Sequence, residues 1–332
     1  MPWLRRIRPD PLLLCLLTAL SLAIGLPARG EAATALGVIT KLAIALLFFL
    51  HGVRLPGESL RAGLTNWRLQ ATILALTFGF FPLLGWTAWR LDPGFINQPL
   101  WLGILFLCAL PSTVQSSIVL TSLAGGNVAA AVCAATVSNM LAVVLTPVLV
   151  GLLVATPHAG LGISPIVKVV VQLLLPFVAG QASRRWLWPW LSRRGALMVW
   201  SDRGVIALAI YTSFSAAVVQ NVWQAAPVGQ LLAVALAAAA LFVLALAASL
   251  GAGRWLKLTR GDRIALTFCG VQKSLVSGVP FANVLLPTAA SGLVMLPLLI
   301  YHQLEIALCV ALAQRLRRQA DKAAIPFHQE PL

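Results

Sequence analysis

The sequence predicts an all-α polytopic membrane protein with ten transmembrane helices, built as two inverted five-helix repeats, and three observations carry that prediction. Of 332 residues, 60% are hydrophobic and only 10% are charged, a composition that excludes disorder and leaves no stretch for a soluble domain. The apolar residues gather in runs near the roughly 20 residues that a spanning helix needs. One short string also occurs twice at corresponding places: Val114-Gln-Ser-Ser-Ile-Val119 and Val271-Gln-Lys-Ser-Leu-Val276.

Ten spans are predicted, at 11–28, 34–53, 69–89, 100–122, 128–154, 164–183, 204–224, 228–252, 264–286 and 291–313. The first follows Arg5, Arg6 and Arg8 and ends near Ala28-Arg29-Gly30, which mimics a signal peptide. It reads better as an uncleaved span, because ten helices divide into equal halves. The longest polar pieces are 184–203 and 315–332. Trp67, Trp86, Trp186, Trp190 and Trp255 lie near span ends, as an interfacial belt does.

The net charge of +15 is placed asymmetrically. With the N-terminus cytoplasmic, 19 of the 24 Lys and Arg fall on the inside, among them Arg54, Arg61, Arg184, Arg185, Arg254 and Arg315. Only Arg29, Lys41, Arg90 and Lys168 lie on or near the outside, and Lys273 is in the membrane. The asymmetry follows the positive-inside rule and predicts both termini in the cytoplasm, in a plasma or inner membrane. Basic loops of this kind meet anionic lipid heads. No basic face with interleaved aromatics points to nucleic acid. The five cysteines all lie within spans and none forms a CxxC pair, so neither a disulfide framework nor a zinc site is expected.

The two copies of the string are 157 positions apart. A repeat of five crossings is odd in number, so the second copy enters the membrane upside down. The repeats cover 1–155 and 164–322, joined by an outside loop at 156–160 and followed by a cytoplasmic tail at 323–332. Pro111, Gly125 and Gly126 flank the first copy, and Gly270, Gly278 and Pro280 the second, so spans 4 and 9 are expected to be broken helices. Paired, interrupted spans in corresponding halves point to the binding site of a secondary transporter.

At these motifs the sequence resembles the bile acid:sodium symporter family, and within it the divergent SBF-like branch. The resemblance rests on Leu123-Ala-Gly-Gly-Asn-Val-Ala129, Thr136-Val-Ser-Asn139, Leu145-Thr-Pro147, Gly270-Val-Gln-Lys-Ser274 and Ile300-Tyr-His-Gln303. It implies a panel domain (spans 1, 2, 6 and 7) and a core domain (spans 3–5 and 8–10) in which spans 4 and 9 cross. This chain departs from the pattern at the sodium ligands and beside them. Where sodium-coupled members carry a ligating glutamate it has Phe268, and Ala131 and Ala135 stand where they carry Ser and Thr ligands. Their Ser-Asn pair appears as Ser116-Ser117, and their neutral Asn as Lys273.

Lys273 lies ten residues from Arg263, about 15 Å at helical rise and so near mid-depth. A cation there costs on the order of 2.5–3.5 kcal/mol and needs a cavity or a partner. Three roles are open to it: a permanent cation where sodium sits in relatives, a titrating group coupled to protons, or a clamp on broken-helix carbonyls. Gln115, Ser116, Ser117, Gln272 and Ser274 supply neutral donors and acceptors beside freed backbone, either as ligands or as backbone partners. Asn127, Ser138 and Asn139 complete the predicted substrate- and ion-binding set. Glu305 is the one carboxylate inside a predicted span, with His302 on the same face. Lys273 is its expected partner, and water at the inner surface is the alternative.

The predicted function is therefore secondary active transport of a small or amphipathic organic anion by alternating access, not using the family's usual sodium sites. A proton, sodium or no ion at all is left open as the coupling partner. A cation–proton antiporter and a non-transporting membrane sensor are the alternatives. No cofactor, metal or enzymatic activity is predicted; His302-x-x-Glu305 lacks the further ligands of a zinc site.

Overall fold

A computed structural model describes residues 11–54, 66–92, 94–154, 170–221, 227–286 and 288–323. The loop at 156–160, Arg5, Arg6, Arg8, Arg61, Lys168 and the tail from 324 lie outside the described residues. Twelve α-helical elements follow one another, with no strand among the described residues. They are α1 (Pro11–Gly25), α2 (Gly30–Arg54), α3 (Trp67–Leu91), α4 (Gln98–Cys108), α5 (Val114–Leu123) and α6 (Val128–Val154). Then come α7 (Leu175–Leu191), α8 (Gly195–Val219), α9 (Val228–Trp255), α10 (Arg260–Val271), α11 (Leu275–Leu285) and α12 (Thr288–Ala323).

Seven helical stretches among the described residues are long and apolar enough to cross a membrane. The chain is a polytopic membrane protein. Each predicted span meets a helical element, because the length of an apolar run is a local signal. Predicted spans 4 and 9 each appear as two half-helices, α4–α5 and α10–α11. Pro111 ends α4 by offering no N–H to the last turn, and Gly125 (φ +70°) closes α5 in a left-handed cap.

Two helices differ from the prediction. The polar piece 184–203 is not an extended loop. α7 runs on to Leu191, and only the short 3₁₀ turn Ser192–Arg194 separates it from α8. The arginines there lie over tryptophan rings: the guanidinium carbon of Arg185 is 3.8 Å from the Trp186 centroid, and that of Arg194 is 4.1 Å from Trp190. Such pairs let charged side chains cover apolar surface at an interface. α8 begins at Gly195, not at 204, and this takes Asp202 inside the helix.

α1, α2, α7 and α8 pack on one another through α1–α8, α2–α7 and α2–α8 contacts. α2 and α7 approach closely at two glycines. A Cβ on Gly52 would lie 2.0 Å from the Phe177 carbonyl oxygen, and one on Gly180 1.9 Å from that of Phe49. α12 lies against α4, α9 and α11, and α5 against α6 and α10. The α10–α11 stretch is almost wholly enclosed by the other helices. All five cysteines are free thiols.

Candidate functional site

The site forms where the two broken stretches meet. Every carbonyl across the first break has an identifiable partner. Ala109 O accepts from Thr146 Oγ1 (2.8 Å), Leu110 O from Lys273 Nζ (2.8 Å), Pro111 O from the Ser274 N–H (2.8 Å) and Ser112 O from Asn139 Nδ2 (2.8 Å). Thr113 O accepts from Ser117 Oγ. Buried backbone groups require such accounting. Across the second break, Val271 O accepts from Tyr301 Oη (2.6 Å), and the Lys273 N–H donates to Glu305 Oε2 (2.8 Å). Ser274 Oγ caps α11 by accepting from the Ser277 N–H (3.1 Å).

Lys273 is wholly buried. Its Nζ donates to Leu110 O (2.8 Å), Thr77 O (3.0 Å) and Cys108 O (3.1 Å), and it lies 4.0 Å from the Phe81 ring centroid. Three acceptors call for three N–H donors, which is the ammonium form. The acceptors exist because local helix chemistry frees them. In α3 a π turn at Leu76–Phe80 sends the Phe81 N–H to Leu76 O, and Pro82 has no N–H to offer Thr77 O. Cys108 O closes α4 facing Pro111, and the Ser112 N–H that would reach it goes instead to Ser138 Oγ (3.1 Å). The negative end of the α4 dipole adds to the attraction. Burying an ammonium costs several kcal/mol. Three charge-assisted bonds of about 1.5–3 kcal/mol each are of the size needed to offset it.

The expected pairing of Lys273 with Glu305 takes a different form. No ion pair joins the ammonium to the carboxyl group among the described residues; Glu305 instead holds the Lys273 backbone N–H and faces His302 Nδ1 at 2.9 Å. Glu305 is wholly buried and does not reach water directly. The backbone carbonyls outbid it because they converge on one point, which a single carboxylate on α12 cannot match while serving the break.

Beside the breaks lies a cavity of about 540 Å³, in the size range of small-molecule sites. Gln115, Ser116, Asn139, Ser274 and His302 line it, as does Thr113, whose buried hydroxyl has no partner. Ser117, Ser138, Gln272 and Lys273 stand behind that wall. Gln272 Oε1 accepts from Ser116 Oγ (3.3 Å) while its Nε2 has no partner. Asn127 is not brought to the cavity. Its Oδ1 accepts from the Ala130 N–H (3.0 Å) as the cap of α6, and its Nδ2 donates to Asp262 Oδ1 (2.8 Å) at the start of α10. An Asn directly after a Gly-Gly turn is well placed to cap the next helix.

The sequence reading missed Thr77, Ser277 and Tyr301, and also the opposite wall of the cavity. There Arg54 at the end of α2 meets Asp202 of α8 at 2.6 Å, with Arg203 beside them. The signal for Thr77 is Pro82 five residues on; the Arg54–Asp202 pairing, 148 positions apart, has none.

Residues 10–318 match the family described as the SBF-like CPA transporter family. The chain belongs to that family. Over 327 residues it is 45% identical to protein PA2026 of Pseudomonas aeruginosa, covering 98% of each chain. It is 42% identical over 315 residues, 94% of each chain, to YfeH of Escherichia coli (strain K12), whose name provisionally makes it a symporter. It is 28% identical to sodium/bile acid cotransporter 7 of Rattus norvegicus over 273 residues, 81% of this chain and 80% of that one. The protein is thus a membrane transporter of the symporter family that its motifs resemble.

Proposed function

We propose that this chain is a secondary transporter that carries an amphipathic organic anion by alternating access, with no sodium bound where its family binds it. The observation that carries this reading is the Lys273 ammonium on three converging carbonyls. It is a tethered cation where two broken helices meet, a place that the resemblance assigns to a soluble ion in sodium-coupled relatives. Phe268, Ala131 and Ala135, all fully buried, have no side-chain oxygen with which to ligate sodium. The rat relative is named for bile acid, which directs the substrate class toward amphipathic carboxylates.

The architecture that serves this function has ten spans in two inverted repeats, 1–155 and 164–322, with a tail at 323–332 and both termini in the cytoplasm of the inner membrane. α1, α2, α7 and α8 act as the panel against which the other helices move. Gln115, Ser116, Asn139 and Ser274 meet the substrate, while Ser117, Ser138, Gln272 and Lys273 hold the broken backbone in shape. His302, which lines the cavity, and the Glu305 behind it exchange the coupling proton.

The test is uptake of radiolabelled cholate into proteoliposomes. Uptake without sodium, lost in Lys273→Ala that still folds, is the expected result. Uptake that requires a sodium gradient overturns it. Cation–proton antiport is the second reading, favoured by the buried Glu305 in reach of the cavity through His302. It predicts pH movement driven by sodium or potassium with no organic solute present.

A further inference from the structure

We propose that Arg54, Asp202 and Arg203 form an anion-recognition subsite on the α2–α8 wall of the cavity, selective for a single negative charge. The proposal rests on the carrier reading above and adds to it the residues that take the substrate's charge.

Arg54 ends α2 and reaches α8. Its Nη1 donates to Asp202 Oδ2 (2.6 Å) and its Nη2 to Met198 O (3.1 Å), one helical turn earlier on α8. The guanidinium is therefore held in place, yet its pairing is incomplete. Arg54 Nε and Asp202 Oδ1 are both buried without a hydrogen-bond partner, and His51 Nε2 stands 4.0 Å from Asp202 Oδ1. Arg54 and Asp202 both line the cavity.

Charge sets the selectivity. Arg54, Arg203 and Asp202 are the formally charged residues among those lining the cavity, so with its histidines neutral the wall carries one excess positive charge. Asp202 neutralises Arg54. Arg203 has no carboxylate within ion-pair distance among the described residues, and its guanidinium carbon lies 5.3 Å from the Trp200 ring centroid. The facing wall adds Thr113 and Gln115, which are neutral donors. Phe48, Phe177 and Ile206 give the cavity an apolar body. A monoanion with an apolar body balances this wall. A neutral ligand leaves Arg203 uncompensated, and a dianion brings an excess charge into a low-dielectric space.

Equilibrium binding to the full chain in nanodiscs tests this with three probes that share one sterol body: methyl cholate, cholate and cholate 3-sulfate. Wild type is expected to bind cholate about tenfold more tightly than either of the others, the size of one charge-assisted contact. Arg203→Gln, at a partly exposed position, is expected to lower cholate affinity about tenfold, to that of methyl cholate. Asp202→Asn is expected to shift the preference to cholate 3-sulfate, a gain that misfolding cannot mimic. Equal affinity for the three probes in wild type, or an unchanged ranking in both variants, overturns the subsite and leaves the carrier reading standing. Binding of no probe to wild type removes the carrier reading and the subsite with it.

Discussion

Glu305 binds Lys273 through the backbone and leaves its ammonium to others. The carboxyl Oε2 accepts from the Lys273 N–H at 2.8 Å, while Nζ turns to Thr77 O, Cys108 O and Leu110 O. The carboxyl group thus serves the break in the α10–α11 stretch and the lysine serves the break between α4 and α5. Lys273, at the second break, closes open hydrogen bonds of the first, and Glu305 of α12 closes one of the second, which couples the two breaks through one residue.

This division of labour predicts an order among Glu305 variants. Glu305→Gln keeps an acceptor for the Lys273 N–H and is expected to lose about 1 kcal/mol or less. Glu305→Ala orphans a buried donor and is expected to lose about 1–3 kcal/mol. Thermal melting in detergent reads the difference. Equal losses would mean that the charge of Glu305 matters more than its place at the break.

The α2–α7 contact predicts intolerance of a single methyl group. Backbone carbonyls, which cannot move aside like a side-chain end, occupy the Cβ positions of Gly52 and Gly180. Gly52→Ala or Gly180→Ala is expected to cost about 3 kcal/mol by forcing the helices apart. Gly251→Ala, with nothing within 4 Å of its Cβ, is the control and is expected to be neutral or stabilising. Melting temperatures of the three variants compare them directly.

Asn127 separates a structural role from a ligand role. As the cap of α6 it predicts a loss of about 1–2 kcal/mol in Asn127→Ala, with cholate affinity unchanged in the folded fraction. Asn127→Asp or Asn127→Ser keeps a capping oxygen, but Asp brings a second carboxylate to Asp262 Oδ1, which lies 2.8 Å from Asn127 Nδ2. Ser is therefore expected to be the better replacement. Loss of binding in Asn127→Ser with stability retained would make Asn127 a ligand after all.

Outside the spans, Asp92 gives a pH dependence. Desolvation pushes its carboxyl up, but hydrogen bonds from Trp101, Ile96, Phe95 and Gly94 outweigh it and hold the pKa below its ordinary 3.8. A depressed folded value contributes stability that is present above the unfolded pKa and is lost as pH falls through the folded one. The melting difference between wild type and Asp92→Asn is therefore expected to be present at about pH 6 and to shrink below about pH 4.

The spans and both breaks were legible because their signals are local. Apolar run length marks the spans, and Pro111 and Gly270 mark the interruptions beside two polar strings. The cavity wall made by Gln115, Ser116, Asn139 and Ser274 was legible for the same reason. The partners of Lys273 were not, because three backbone carbonyls carry no residue-type signal. Thr77 is distinguished only by a π turn that Pro82 accompanies. Asp202 escaped because arginine and tryptophan around 184–203 masked a helix whose ring–cation pairs make it interfacial. That misplaced start hid the Arg54 contact, and a pairing across 148 positions needs the fold itself.

The tethered cation makes the sharpest prediction, because its site can be emptied and refilled. Lys273→Ala leaves Leu110 O, Thr77 O and Cys108 O converging on a space with no donor. Removing one partner of a buried charged contact costs about 3–5 kcal/mol. A small soluble cation is expected to recover part of this by mass action, raising the melting temperature of Lys273→Ala as ammonium chloride is added. Wild type, whose site is already filled, is expected not to respond beyond the general effect of salt, for which choline chloride is the control. Methylammonium, which carries the end of the lysine side chain, is expected to outperform ammonium. A Lys273→Ala protein as stable as wild type, or indifferent to all three salts, would make the three-carbonyl contact incidental.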